Sequence, residues 1–265
     1  MDLAADLALA LELADLADAI TLPRFRATDL VVETKPDLTP VTEVDRAVEE
    51  RLRSEIRSRR PQEAVVGEEY GVDGPDHAAR RWILDPIDGT KNFVRGVPVY
   101  ATLIALEVDG VGAVGVVSAP AMGRRWWAAR GRGSFADGRP AHVSEVSEMS
   151  DAFLSYSSLA GWEDRGRLDA FVDLTRRVWR TRAFGDFWSH VLVAEGSVDV
   201  AAEPEVSLWD LAALQVIVEE AGGRFTDLSG VATPDGGSAV SSNGRLHDEV
   251  LHALQQPDAS RVLPG

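Results

Sequence analysis

The 265-residue chain has no cysteine. That excludes disulfides, thiolate nucleophiles, thiolate zinc sites and iron–sulfur clusters. Nor does it contain the ~20 uninterrupted apolar residues that a membrane helix needs. The apolar stretch Leu3–Ile20 is interrupted by Asp6, Glu12, Asp15 and Asp18 and lacks a basic start, so it does not read as a signal peptide. We therefore expect a cytoplasmic protein without a membrane partner. Positive charge is scarce: 27 basic residues face 43 acidic ones, a net charge of −16. Such a surface repels polyanions, which argues against nucleic acid as a ligand. A phosphate-bearing substrate would need local positive charge, and bound metal ions are one source. The five histidines form no HxH or HExxH spacing, which argues against zinc. Neither a GxSxG elbow nor a GxxxxGK[ST] loop occurs, which weakens serine-hydrolase and P-loop readings.

What is present is the patterning of an α/β protein. Residues 2–20 read as an amphipathic helix and 33–40 as a loop. A second helix runs from about Thr42 to Arg59, capped by Thr42 and striped by Val44, Val48, Leu52 and Ile56. The period then changes. Residues 64–67 and 81–84 read as buried strands, and 99–108 with 111–118 as a hairpin turning at Asp109-Gly110. A meander continues through 125–129 and the Asp137-Gly138 turn. Beyond 150 we expect strands at 152–156, 178–183, 198–202, 224–228 and 238–241, with helices at 165–177, 186–195, 208–221 and 246–255. A soft boundary near 145 separates an N-terminal lobe, 1–145, from a C-terminal lobe, 146–265, the two packing as one unit.

The densest chemical signal is Asp85-Pro86-Ile87-Asp88-Gly89-Thr90, which follows the apolar run Trp82-Ile83-Leu84. Carboxylates that converge on one point repel unless protonated or bridged by a cation, and an all-oxygen ligand set favours Mg²⁺ or Mn²⁺. The Gly89 and Thr90 amides are placed to hold an anion. The bland alternative is a solvated Asp/Gly turn. Gly67-Glu68-Glu69 also ends an apolar run, although a lone Glu pair is more often solvated. Asp210, opening the helix at 208, and Asp45, opening the one after 42, have an equally ordinary reading as helix-dipole partners. Gly110-Val-Gly112-Ala-Val-Gly115 matches GxGxxG but opens no helix, so hairpin glycines explain it better than a dinucleotide site. Trp126-Trp127 reads as core or interface.

Taken together and in order, Gly67-Glu68-Glu69, Trp82 to Phe93 and Trp209-Asp210 through Gly223 resemble the three signatures of the inositol monophosphatase family. Lys35 to Thr42, Lys91 to Pro98 and Trp126 to Gly133 further resemble that family's bacterial histidinol-phosphate phosphatases. The resemblance implies a five-layer αβαβα sandwich, a homodimer, and hydrolysis of a small phosphate monoester with two to three Mg²⁺ ions per site. By position, it implies Glu68, Asp85 and the Ile87 carbonyl at a first metal and Asp85, Asp88 and Asp210 at a second. A third, weaker ion would sit near Glu68. Thr90 and Glu68 would orient the attacking water, with Asp45 as a supporting acid. Asp88 and the Gly89 and Thr90 amides would bind at the phosphate. Lys91 stands where many members carry threonine or serine, and the 33–40 loop is shorter than in typical inositol phosphatases. Histidinol phosphate carries a cation that inositol phosphate lacks, so Asp186 and Glu203, at substrate-facing positions, are expected to pair with it. The alternatives are inositol 1-phosphate, fructose 1,6-bisphosphate or a phosphoadenosine nucleotide as substrate, or a catalytically quiet regulatory homologue. Intact Glu68, Asp85, Asp88, Thr90 and Asp210 argue against the last.

Overall fold

The computed structural model describes residues 3–36, 38–75 and 78–255; Asp2 and His77 lie outside them. In chain order the elements are α1 (Ala4–Arg24), β1 (Val32–Thr34), β2 (Pro40–Thr42), α2 (Glu43–Arg59), β3 (Ala64–Gly67), β4 (Gly71–Asp73), β5 (Arg80–Asp88), α3 (Thr90–Arg95), β6 (Ala101–Val108), β7 (Val111–Ala119), β8 (Arg124–Ala129), β9 (Ser134–Ala136) and β10 (Arg139–Ala141). The second part adds β11 (Phe153–Ser155), α4 (Ala160–Asp164), α5 (Leu168–Arg177), β12 (Arg180–Arg182), α6 (Asp186–Ala194), β13 (Val200–Glu203), α7 (Leu208–Glu220), β14 (Arg224–Thr226), β15 (Ala239–Ser242) and α8 (His247–Gln255).

Eight strands form one sheet in the order β10-β9-β8-β7-β6-β5-β3-β4, antiparallel except for the β3–β5 pair. Five more form a second sheet, β12-β11-β13-β15-β14. Side chains alternate across each strand, and three separate cores follow from that period of two. Trp82, Leu84, Ile104, Leu106, Val114 and Val116 pack against α1 and α2. The intervening Ile83, Leu103, Ala105 and Val117 meet α6 and α7, which also cover Ala201, Phe225 and Ala239 of the second sheet. On that sheet's far face, Leu154, Val200, Ala202 and Val240 pack under α4, α5 and α8. The layers are thus αβαβα. Both faces of each sheet are covered, which is why the strands read as continuous apolar runs.

α7 is apolar on nearly every side because it lies between the two sheets. Its seat on β7 depends on glycine. A Cβ on Gly115 would fall 2.4 Å from the Ala213 carbonyl oxygen, and one on Gly112 would fall 2.8 Å from Val216. Only Gly110 of the GxGxxG run serves the hairpin turn, at φ +77°; the other two glycines admit the helix. Gly115→Ala is therefore expected to destabilise the protein by about 3 kcal/mol, the upper end for overpacking, since backbone cannot yield as a side chain does. Urea unfolding measures this, and a loss under about 1 kcal/mol would contradict the packing argument.

Three local expectations need correction. The 33–40 segment is not an open loop: β1 and β2 pair antiparallel, with Glu33 opposite Val41. The helix expected at 165–177 starts late: Gly166 at φ +65° follows the α4 turn, and α5 runs from Leu168 to Arg177. α1 continues to Arg24 and accommodates Pro23 in its last turn.

Candidate active site

β5 does not stop at Leu84 but runs through Asp85 to Asp88. In a regular strand, residues three apart point to opposite faces. Here the β5–β6 register shifts between Asp85 and Asp88. Pro86 has no N–H to give the ladder, and its carbonyl instead accepts the Thr102 hydroxyl at 2.8 Å. That irregularity turns both acids the same way. Asp210 joins them from the first turn of α7, where its Oδ2 accepts the Ser207 N–H at 2.7 Å. One carboxylate oxygen from each of Asp85, Asp88 and Asp210 lies within 4.8 Å of the others.

Electrostatics make the trio costly as three bare anions. Burial, then the charges of Glu68, Asp88 and Asp210, holds the Asp85 carboxyl well above its ordinary pKa. Burial and the charges of Asp186 and Asp210 do the same to Asp88, and burial pushes Asp210 up to about 6. Asp85 Oδ1 is buried with no hydrogen-bond partner. An orphaned carboxylate oxygen among converging acids is the donor set a hard divalent cation requires.

Glu68 sits beside Asp85 because β3 and β5 run parallel with Gly67 opposite Leu84. The Gly67-Glu68-Glu69 turn is held by Glu49, an acid that no sequence motif singles out. Its carboxylate accepts the N–H groups of Glu69 at 2.7 Å and Tyr70 at 3.1 Å, and pairs with Arg53 at 2.7 Å. A Cβ at position 67 would lie 2.1 Å from Glu49, so only glycine fits there. Glu68 is not among the three clustered ligands; its Oε1 accepts from Lys35 Nζ at 2.7 Å, and Glu69 Oε1 does so at 2.6 Å. Burial disfavours the lysine's charge, but these two bonds outweigh it and raise its pKa.

After β5, Gly89 takes φ +82° and leads into α3. Thr90 donates to the Ile87 carbonyl at 2.9 Å, with Asp45 Oδ1 at 3.3 Å as a second acceptor. Asp45 is fully buried in the α2 capping box with Thr42. The ordinary cap reading of Asp45 therefore holds, and the structure adds its contact with Thr90. Asp88 Oδ2 accepts the Phe187 N–H at 2.7 Å, docking the start of α6 on the cluster.

These groups border a cleft of about 630 Å³. Its lining includes Glu68, Asp88, Gly89, Thr90 and Asp210 together with Ser157, Asp186, His190 and Glu203. Glu203 is 3% exposed; its Oε2 accepts from Ser157, and its Oε1 has no partner. Burial pushes its carboxyl up to about 8. Asp186 adopts φ +49° and is likewise shifted upward by burial.

Motif and spacing assign no role to Lys35, Glu49, Asn92 or Ser157. Composition does carry a signal for the first. The chain has only two lysines among its 27 basic residues, Lys35 and Lys91; Lys91 lines this cleft and Lys35 pairs with Glu68 of its lining.

A model of the inositol monophosphatase family matches residues 2–259. The chain belongs to that family. The chain is similar to the histidinol-phosphatase of Streptomyces coelicolor, 59% identical over 260 residues, which are 95% of this chain and 97% of the relative. It is also similar to the histidinol-phosphatase of Mycobacterium tuberculosis, 62% identical over 254 residues, 94% and 97% of the two chains. Among solved structures, an inositol monophosphatase from Zymomonas mobilis matches with a TM-score of 0.86 and 30% identity, over 97% of this chain and 100% of that one. Family membership and the layered fold agree with the resemblance carried by the three motifs.

Proposed function

We propose that the chain hydrolyses L-histidinol phosphate to L-histidinol and phosphate, with divalent cations, Mg²⁺ foremost, held by Asp85, Asp88, Asp210, Glu68 and the Ile87 carbonyl. The observation that carries this reading is a cleft bordered by two neighbouring sets of acids. One set is the carboxylate trio for metal and phosphate. The other is Asp186 with the buried, half-unpartnered Glu203, a pairing suited to a substrate cation. Bound metal supplies charge neutralisation at the phosphoryl oxygens and acidifies a water for attack. The protein's part is positioning. Gly89 and Thr90 offer amides at the phosphate, and Thr90 and Glu68 orient the water. The single Thr90 proton has two acceptors, Ile87 O and Asp45 Oδ1. Engagement of the Ile87 carbonyl elsewhere turns that proton to Asp45 and frees a hydroxyl lone pair toward the water.

The test is phosphate release from histidinol phosphate, inositol 1-phosphate and fructose 1,6-bisphosphate. The reading expects the first to have the highest kcat/KM; preference for the inositol ester would overturn the substrate. We further propose a cytoplasmic homodimer. Among the described residues no helix is long and apolar enough to cross a membrane. The edge strand β12 and the 64%-exposed Trp179 before it leave one end of the second sheet open for a second copy.

Metal binding and pH are linked. Asp85, Asp88 and Asp210 hold protons more tightly folded than unfolded. The metal-free fold therefore loses stability from these groups as pH rises through their raised folded pKa values, about 6 for Asp210, and regains it as pH falls. A cation binds the deprotonated acids, so it opposes that loss. Saturating Mg²⁺ should raise Tm more at pH 8 than at pH 6, with ~2.7 kcal/mol expected at a hundred times Kd. A larger shift at pH 6 would contradict the assignment of these acids to the metal.

A further inference from the structure

We infer that Asn92 is a positioning residue for substrate selection: it fixes the Asp186 carboxylate at a set distance from the phosphate turn. This rests on the reading that Asp186 pairs with the substrate's amine.

The Asn92 side-chain nitrogen has two hydrogens, and both are taken. Nδ2 donates to the Val99 carbonyl at 2.9 Å and to Asp186 Oδ2 at 2.9 Å. Both partners are acceptors only, so the opposite amide orientation would set oxygen against two oxygens; the nitrogen is assigned by its neighbours. The Val99 bond anchors the amide to backbone, and the amide in turn anchors the acid.

Asp186 needs such an anchor. It follows Gly185, whose φ is +75°, and itself adopts φ +49°, a region that costs a side-chain-bearing residue strain. A first-turn acid serving only the helix dipole would not need a partner on another element. The network also closes over a bare backbone: a Cβ on Gly89 would meet Val99 O at 3.0 Å, Asp186 Oδ2 at 3.4 Å and Asn92 Nδ2 at 3.5 Å. The start of α6 is thus tied to the 88–92 turn at two points, Asp88 to the Phe187 N–H and Asn92 to Asp186. The same short segment that carries the phosphate amides sets where the acid stands. Asp88 and Lys91 are the other charged groups of that segment facing Asp186; Asp88 and Asp186 repel each other, while the Lys91 ammonium favours the ionised carboxylate. The span between phosphate and amine becomes a built-in ruler.

The test is a double-mutant cycle, read as the ratio of kcat/KM for histidinol phosphate to that for inositol 1-phosphate. Asn92→Ala should lower this ratio ~10-fold. Most of the change should appear as a raised KM for histidinol phosphate, because an amine contact is made in ground and transition state alike. In the Asp186→Asn background, Asn92→Ala should change the ratio no further. Should the alanine variant fail to fold, Asn92→Ser, which keeps one donor, carries the same comparison. An equal drop in both backgrounds overturns the positioning role, as does an unaltered ratio in Asn92→Ala when Asp186→Asn lowers it. An unaltered ratio in Asp186→Asn alone overturns the amine reading, and the ruler falls with it.

Discussion

Asp85→Asn is expected to reduce phosphate release by roughly 10³-fold or more at saturating Mg²⁺, since several kcal/mol of charge stabilisation act through that carboxylate. The same change should leave the metal-free protein as stable as the wild type, or more so. Asp85 is 1% exposed, its Oδ1 has no partner, and burial with four neighbouring acids disfavours its charged form. Asparagine keeps the volume and removes the repulsion. Activity and apo stability should therefore move in opposite directions, which general misfolding cannot mimic. Turnover near wild type would refute the metal assignment, and a large drop in apo Tm would refute the electrostatic account of the trio.

Glu203→Gln should cost ~10- to 150-fold in preference for histidinol phosphate over inositol 1-phosphate, the worth of one charge-assisted contact of ~1.5–3 kcal/mol. Glutamine is the informative replacement. With its carboxyl pushed up to about 8, Glu203 holds a proton in the free site over much of the neutral range. A neutral isostere thus resembles the resting side chain and should not disturb folding. Only a substrate cation makes ionisation favourable at this depth, so the loss should fall on that substrate alone. Equal losses on both esters would assign Glu203 to the fold rather than to selection.

Both variants concern residues whose types and spacing are legible in the amino-acid sequence. Local chemistry makes α2 readable: Thr42 caps it and its apolar stripe has a helical period. Strand runs are readable because both sheet faces are covered. The acids stand out because they end or interrupt apolar runs. What stays hidden depends on distant pairing. The turning of Asp85 and Asp88 to one side follows from a register shift against β6. The Glu49 bracket under Gly67 joins α2 to a turn that lies beyond β3. The ion pairs of Lys35 need β1 and β2 to fold back on each other, and residues 33–40 carry no turn signal strong enough to announce that. Gly166 delays the start of one expected helix to Leu168, because its left-handed backbone cannot join the helix.

The middle helical layer also bears on how the chain is made. Glu68, Asp85 and Asp88 leave the ribosome close together, whereas Asp210 emerges far later, on α7. Synthesis proceeds at roughly 5–20 residues per second, so the first sheet waits several seconds with its inner face uncovered. α7 then arrives carrying both the apolar cover for that face and the third acid of the trio. Completion of the core and closure of the cation site are consequently one event in the birth of the protein. A chain cut short before α7 lacks both, and so presents no finished metal site to the cell.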